Sequence, residues 1–203
     1  MTKSINVTFP DSSSKKFKSG ISCLEIVKSI SNSLAKKVLV ASFNDKLVDI
    51  STKLDSDGSI KFYTWDDDEG KSTFWHSSAH LLAESVESIY PGVKFGIGPP
   101  ISNGFYYDID FVNYDISEIN LSKIEKKFIE LSKNNVDFKR SEVSKKYALD
   151  FFKKKGESYK IELIKDLKDG EISFYEQGNF IDLCKGPHIP TSNHIKSVKI
   201  LNV

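Results

Sequence analysis

Ile5, Val7 and Phe9 alternate with polar neighbours, the period of two that half-buries a strand, and Pro10 ends the run. After the polar turn Asp11-Ser12-Ser13-Ser14, residues 15–18 read as a returning strand closed by Gly20. Ser22 with Glu25 three positions on has the spacing of a capping box. The helix it opens aligns Cys23, Ile26, Val27, Ile30 and Leu34 on one face. Residues 38–43 predict a strand, Asn44-Asp45-Lys46 a turn and 47–50 a short extended piece. Asp57-Gly58 then turns the chain into a last strand over 60–63. One helix packed across a small mixed sheet satisfies this ββαβ(β)β order. The run Trp65-Asp66-Asp67-Asp68-Glu69-Gly70 reads as an acidic linker. Residues 1–63 are therefore expected to form one domain, 64–70 the link and 71–203 a second domain.

The second segment opens with a helix that Ser72 or Thr73 can cap, with Ala79, Leu82, Ala83, Val86 and Ile89 as its apolar stripe and Pro91-Gly92 as its end. Residues 93–97 and 105–111 predict two strands, separated by Gly98-Pro99-Pro100 and an Asn103-Gly104 turn. Two amphipathic helices follow. The first, over 116–132, buries Leu121, Ile124, Phe128 and Leu131. The second starts at Ser141, buries Val143, Tyr147, Ala148 and Phe151, and stops at Gly156. Strand texture returns over 159–164, 171–175, 180–184 and 195–203. There is no internal repeat and no low-complexity segment.

Composition narrows the class without choosing a function. Hydrophobic residues make up 39% and charged residues 28% of the 203, the balance of a soluble globular chain with enough apolar content for a real core. No apolar run approaches the length of a membrane span, and the first residues lack the apolar centre of a signal peptide, so the cytoplasm is the default expectation. Cys23 and Cys184 lie far apart and form no disulfide framework. The net charge of +1 announces no global nucleic-acid field, although local lysine clusters could still hold a polyanion. Lys15, Lys16, Lys36 and Lys37 read as a solvated surface rather than an RNA footprint.

Chemistry concentrates in two short pieces. In His76-Ser77-Ser78-Ala79-His80 the histidines are four apart, so their rings project from adjacent turns of one helix face and border the apolar stripe. In Asp182-Leu183-Cys184-Lys185-Gly186-Pro187-His188 the strand period puts Asp182 and Cys184 on one side, and Gly186-Pro187 can bend His188 back beside them. Three imidazoles and a thiol could converge between a helix and a strand end. Such a set suits zinc, or equally a group of acid/base side chains that orient a water. A structural role for the cluster is the plain alternative.

His76-x-x-x-His80 paired with Cys184-x-x-x-His188 resembles the editing-site signature of threonyl- and alanyl-tRNA synthetases and their free-standing relatives. Phe95-Gly96-Ile97-Gly98-Pro99-Pro100, Asn103-Gly104-Phe105-Tyr106-Tyr107-Asp108, Gly156-Glu157-Ser158-Tyr159-Lys160 and the block 182–188 look like successive blocks of the threonyl branch, in its order. Residues 1–63 look like the ubiquitin-like TGS domain that precedes the editing domain in bacterial threonyl-tRNA synthetases. The resemblance implies an α+β chain, with a small β-grasp domain followed by an editing domain whose helices pack on a mainly antiparallel sheet. It implies hydrolysis of the seryl ester on the terminal adenosine of mischarged tRNA(Thr). The need is physical, since the one methyl that separates serine from threonine is worth only about 1–3 kcal/mol of discrimination.

Carried over residue by residue, the resemblance assigns His76, His80, Cys184 and His188 to the rim that holds the terminal ribose and the attacking water. Lys160 would stabilise negative charge or orient a water. Asp182 would hold the substrate ammonium or orient a histidine. Tyr107 would gauge the substrate, and Gly96, Gly98 and Pro99 would line it. The implied editing reaction needs no cofactor, with zinc on His76, His80, Cys184 and His188 as the alternative. Arg140 is the sole arginine, too few to grip ATP as class II synthetases do. The expectation is therefore the N-terminal part of a longer enzyme whose catalytic core, with ATP, Mg and zinc and a homodimer interface, lies outside these residues. Two other readings stay open: a free-standing alanyl-type zinc-dependent aminoacyl-tRNA deacylase, and a non-catalytic tRNA-binding module.

Overall fold

The computed structural model describes residues 3–202. Two compact units emerge, one comprising the chain up to Phe74 with Gly186–Pro190, the other Trp75–Lys185 with the residues from Thr191 on.

In the first unit β1 (Ser4–Thr8) and β2 (Ser14–Lys18) form an antiparallel hairpin, with Ile5 and Val7 on the buried side. A two-residue strand, β3 (Ile21–Ser22), leads into α1 (Cys23–Ile30) and the short α2 (Asn32–Ala35). The expected capping box is present: the Glu25 N–H donates to Ser22 Oγ, and the Ser22 N–H donates back to Glu25 Oε2 at 2.9 Å. Cys23, Ile26 and Val27 are buried, whereas Ile30, expected on the same face, is half exposed at the helix end. β4 (Val40–Phe43) turns through Asn44 and Asp45, both at positive φ, into β5 (Lys46–Val48). β6 (Lys53–Leu54) pairs with β3, and β7 (Gly58–Tyr63) completes a sheet of order β2-β1-β7-β4-β5. β7 is central and runs parallel to its neighbour β1, and α1 covers them: a β-grasp.

The stretch expected as a linker is largely ordered. The Thr64 N–H donates to Asp67 Oδ2 at 2.8 Å, and α3 (Asp68–Ile89) begins four residues before the expected cap at Ser72. The aspartate and glutamate read as linker charge occupy its first turn, where a helix dipole favours them. In the second unit α3 is buried on more than its predicted stripe. Leu81, Ser77, Ser78 and Ser85 are buried along with Ala79, Ala83 and Val86. Ser85 satisfies its hydroxyl on the Leu81 carbonyl at 2.6 Å.

The single strand expected over 105–111 is broken. β8 (Lys94–Phe95) pairs with β11 (Ile109–Asp110), and β9 (Pro100–Ile101) pairs with β10 (Gly104–Phe105). The break turns Tyr107 inward while Tyr106 stays exposed. A 3-10 turn at Ile116–Glu118 replaces the first turns of the helix expected from 116, and α4 (Leu121–Lys133) starts where Asn120 caps it. β12 (Lys139–Glu142) is a strand, not the start of the second helix. All four of its residues are exposed, so no apolar alternation marked it, and α5 (Lys145–Lys155) begins only after the Ser144 cap. Gly156 ends α5 at φ 77°, as expected, but Tyr147 is 56% exposed rather than buried.

A further correction concerns residues 158–165. They form a helix, α6 (Ser158–Lys165), not a strand. Tyr159, Ile161 and Leu163 mimic a period of two, yet Tyr159 and Leu163 are exposed, and the buried positions are Lys160 and Ile164, four apart. β13 (Ser173–Gln177) and β14 (Phe180–Leu183) complete an antiparallel sheet of order β12-β13-β14. Ile181 and Leu183 join the cluster of Ala148, Phe152 and Ile164, while Phe180 packs with Ala83 and Phe95. Asp182 therefore shares the Phe180 side of the strand. The tail expected as a strand from 195 follows a 3-10 turn at Ser192–His194 and forms no strand among the described residues. It is pinned by the Ile200 N–H donating to Glu125 Oε1 at 2.8 Å. Among the described residues no helix is long and apolar enough to cross a membrane.

Removing the α1 cap should test the first unit alone. Ser22→Ala is expected to cost about 1 kcal/mol, read as a lower urea midpoint, with the far-ultraviolet spectrum of the folded chain unchanged.

Candidate active site

Helical spacing brings His76 and His80 together as expected, their ring centroids 5.2 Å apart. His80 is buried and His76 half-buried. Cys184 follows directly on β14 and is held there twice by Ser173: its N–H donates to the Ser173 carbonyl at 3.0 Å, and its carbonyl accepts Ser173 Oγ at 2.6 Å. That anchoring sets Cys184 Sγ 3.3 Å from His76 Nε2.

Behind this pair lies a charged group shut off from water. Lys160 on α6 and Asp182 on β14 are each 2% exposed, and Lys160 Nζ meets Asp182 Oδ1 at 2.6 Å. The Tyr107 hydroxyl donates to Asp182 Oδ2 and accepts from Lys160 Nζ at 3.1 Å. The Leu183 N–H adds a donor to Asp182 Oδ1 at 2.8 Å. His80 Nε2 stands 3.8 Å from Asp182 Oδ2, too far for a direct hydrogen bond. The rings of Phe95 and Phe180 close the group, lying 5.5 and 6.2 Å from those of Tyr107 and His80.

Burial is the largest influence on the Asp182 carboxyl and works to raise its proton affinity. The Lys160 ammonium, His80 and the hydrogen bonds from Lys160 and Tyr107 outweigh it, and the group stays below the usual carboxylate range. Burial, and then the neighbouring Asp182 charge, push the Tyr107 hydroxyl well above its ordinary value, so it remains a donor. Burial drives His80 down to about 3 despite Asp182 nearby, so its ring is neutral at physiological pH. Glu157, at the junction of α5 and α6, accepts the Phe95 N–H at 3.0 Å. Burial raises its proton affinity.

The ligating atoms of His76, His80 and Cys184 lie within 4.8 Å of one another. Zinc bonds of about 2.0–2.3 Å imply ligand-to-ligand edges of about 3.5 Å, and the 3.3 Å His76–Cys184 separation is close to that edge. Two nitrogens and one sulfur are donors that zinc accepts, so these residues fit a metal as well as a direct N···H–S contact.

Of the remaining expected residues, His188 is buried within the segment Gly186–Pro190, where its N–H donates to Asp49 Oδ1 at 2.8 Å. The space a side chain would need at Gly98 is filled by the Tyr107 ring, and a β-carbon at Gly96 would press on Asp108 Cβ at 3.0 Å. Pro99 is half-buried beside them. The sequence reading missed Gln177, whose Nε2 donates to the His80 carbonyl at 2.9 Å, and Glu84, one turn beyond His80 on α3. Only Glu84 left a signal, as the third polar residue in the series 76, 80, 84.

Two measurements follow from this electrostatics. Lys160→Met strands a buried carboxylate and should cost about 3–5 kcal/mol, much of it recovered when Asp182→Leu is added; urea denaturation checks both. Below about pH 6.5 unfolded His80 takes a proton that the folded chain refuses until about 3, so folded stability falls with pH across that window. The slope approaches about 1.4 kcal/mol per pH unit. Urea midpoints from about pH 7 to about pH 4 should fall more steeply for the wild type than for His80→Asn.

Comparison with known proteins supplies the family. A family model for the TGS domain matches residues 5–64, and one for the threonyl and alanyl tRNA synthetase second additional domain matches residues 172–203. The threonine–tRNA ligase of Cytophaga hutchinsonii is 50% identical over 199 residues, which cover 98% of this chain and 31% of the relative. Those of Azobacteroides pseudotrichonymphae and Parabacteroides distasonis are 48% and 47% identical over 98% of the chain, again spanning 31% of their own length. Over nearly its whole length the chain is thus the counterpart of the N-terminal region of the threonyl-tRNA synthetases, a TGS domain followed by the second additional domain of that family.

Proposed function

We propose that the second unit is an aminoacyl-tRNA deacylase that removes serine from mischarged tRNA(Thr) by hydrolysing the ester on its terminal adenosine. The observation that carries this reading is the buried Lys160–Asp182–Tyr107 group set directly behind His76, His80 and Cys184. The ligation of threonine to tRNA belongs to relatives of which this chain spans 31%. tRNA(Thr) is the proposed partner, and the cytoplasm, where charged tRNA is used, the proposed location.

An ester needs little activation compared with an amide. The site must orient a water, meet the negative charge that develops on the carbonyl oxygen, and measure the side chain. Lys160 uses two of its three N–H donors on Asp182 and Tyr107, which leaves the third for the oxyanion. The pair is already desolvated and fixed, so no solvent need reorganise as charge develops. Asp182, with donors on both oxygens, is first of all the group that holds Lys160 and Tyr107 in place. His76 and Cys184, half-buried, are the polar groups that a ribose hydroxyl or the attacking water would meet. The family resemblance adds His188, four residues beyond Cys184, to that rim. Tyr107, held by Asp182 and seated on Gly98, is the rigid ring against which serine passes and the extra methyl of threonine does not.

The 3.3 Å His76–Cys184 separation favours a second reading with zinc on the same donors. Bound there, the metal would act as a Lewis acid and lower the pKa of a coordinated water.

A deacylation assay on seryl- and threonyl-tRNA, with and without chelator, tests both. Seryl-tRNA is expected to be cleared and threonyl-tRNA spared, with His76→Ala folded and at least about tenfold slower. Loss of activity with chelator and recovery with zinc selects the metal reading. Equal rates on the two substrates, or unchanged hydrolysis by His76→Ala, would contradict the proposal.

A further inference from the structure

In the β8–β11 ladder the Gly96 N–H donates to the Asp108 carbonyl at 2.8 Å, and the Asp108 N–H donates back to the Ile97 carbonyl at 2.9 Å. Alternate N–H groups of a strand point to opposite edges, so the Phe95 N–H faces away from β11. Glu157 meets it there. Its Oε2 accepts the Phe95 N–H at 3.0 Å, from a residue only 4% exposed. Glu157 holds the N-cap position of α6, where a side chain ordinarily bonds the first N–H groups of its own helix. It makes no such bond and reaches across to β8 instead.

The ladder fixed in this way carries Tyr107, the residue before Asp108. The Tyr107 ring lies edge-on to Phe95, with centroids 5.5 Å apart, and Phe95 packs on Phe180 at the same separation. The Tyr107 hydroxyl is held by Asp182 and Lys160. Lys160 lies three residues beyond Glu157, so one turn of α6 fixes the ring twice: at its hydroxyl through Lys160, and at its flank through Glu157 and Phe95. Rejecting a substrate for one extra methyl needs a wall that does not recede, and one bond at the hydroxyl leaves the flank free to give way.

We propose that Glu157 is a specificity-determining positioning residue: by fixing β8 to the start of α6 it keeps Phe95 behind Tyr107, and so keeps the wall closed to threonine. The inference rests on the deacylase reading, in which Tyr107 is that wall. What acts is the reach of the acceptor oxygen rather than its charge, since a main-chain N–H is satisfied by an amide carbonyl as well as by a carboxylate.

Three variants of the 203-residue chain separate reach from charge. Glu157→Gln keeps the length and an acceptor, and Glu157→Met keeps the length without one. Glu157→Asp keeps the charge but falls one methylene short, and as a favoured cap residue it should leave α6 folded. The ratio of kcat/KM for seryl- over threonyl-tRNA should match the wild type in Glu157→Gln. It should fall about tenfold in Glu157→Asp and Glu157→Met, because threonyl-tRNA is then cleaved. A purely structural role would lower both rates by one factor and leave the ratio unchanged. The flip rate of the Tyr107 ring, read by NMR, needs no activity: it should be slow in the wild type and Glu157→Gln, and faster in the other two. An unchanged ratio in folded Glu157→Asp, or a lowered ratio in Glu157→Gln, overturns the proposal. Should Glu157→Met fail to fold, those two variants decide. Should the wild type never clear seryl-tRNA, the deacylase reading falls and the ring decides the clamp alone: faster flipping in Glu157→Asp supports it, and unchanged flipping overturns it.

Discussion

The ion pair between Lys160 and Asp182 is the interaction on which the arrangement of the site depends. Both groups are almost wholly removed from water, and burying either alone would be prohibitive. Their 2.6 Å contact, the Tyr107 hydroxyl across both and the Leu183 N–H together satisfy the charge. Three parts of the chain meet there: α6, β14 and the broken strand segment around Tyr107. Apolar residues of the same size would pack as well or better, so such a pair is weak testimony for stability and stronger testimony for function. It supplies a fixed positive charge in a dry setting, which suits an ester carbonyl that becomes an oxyanion.

Around that pair the scaffold holds each partner from its backbone. Cys184 is fastened at both main-chain groups by Ser173, and the hairpin beyond Gln177 is fastened to α3 by Glu84. Gly98 gives way to the Tyr107 ring, so a side chain there would displace a member of the buried group. Positions of this kind convert loop and strand-end residues into a site of defined geometry.

How much of this was legible in the sequence depended on the range of the signal. Local rules worked where the structure is local. The Ser22/Glu25 capping box, the Gly156 helix end and the His76/His80 spacing all appear as their chemistry requires. They failed where tertiary packing decided. Lys160 was assigned to a strand because Tyr159, Ile161 and Leu163 alternate. The helix buries Lys160 and Ile164 instead, since an ion-pair partner made burying a lysine tolerable. β12 escaped because all of its residues face solvent, so there was no hydrophobic pattern to find. Gln177 carried no motif at all; only the fold reveals that its amide meets a carbonyl 97 residues away. The proximity of His76, His80 and Cys184 was therefore readable through their motifs, and the contacts that support it were not.

The most direct measurement of the central claim is seryl-tRNA deacylation by the double variant Lys160→Met with Asp182→Leu, at a temperature where its folding is verified. If the buried pair provides the charge for catalysis, the variant will be folded and unable to clear seryl-tRNA while the wild type clears it. Hydrolysis by the folded double variant at the wild-type rate would contradict the account.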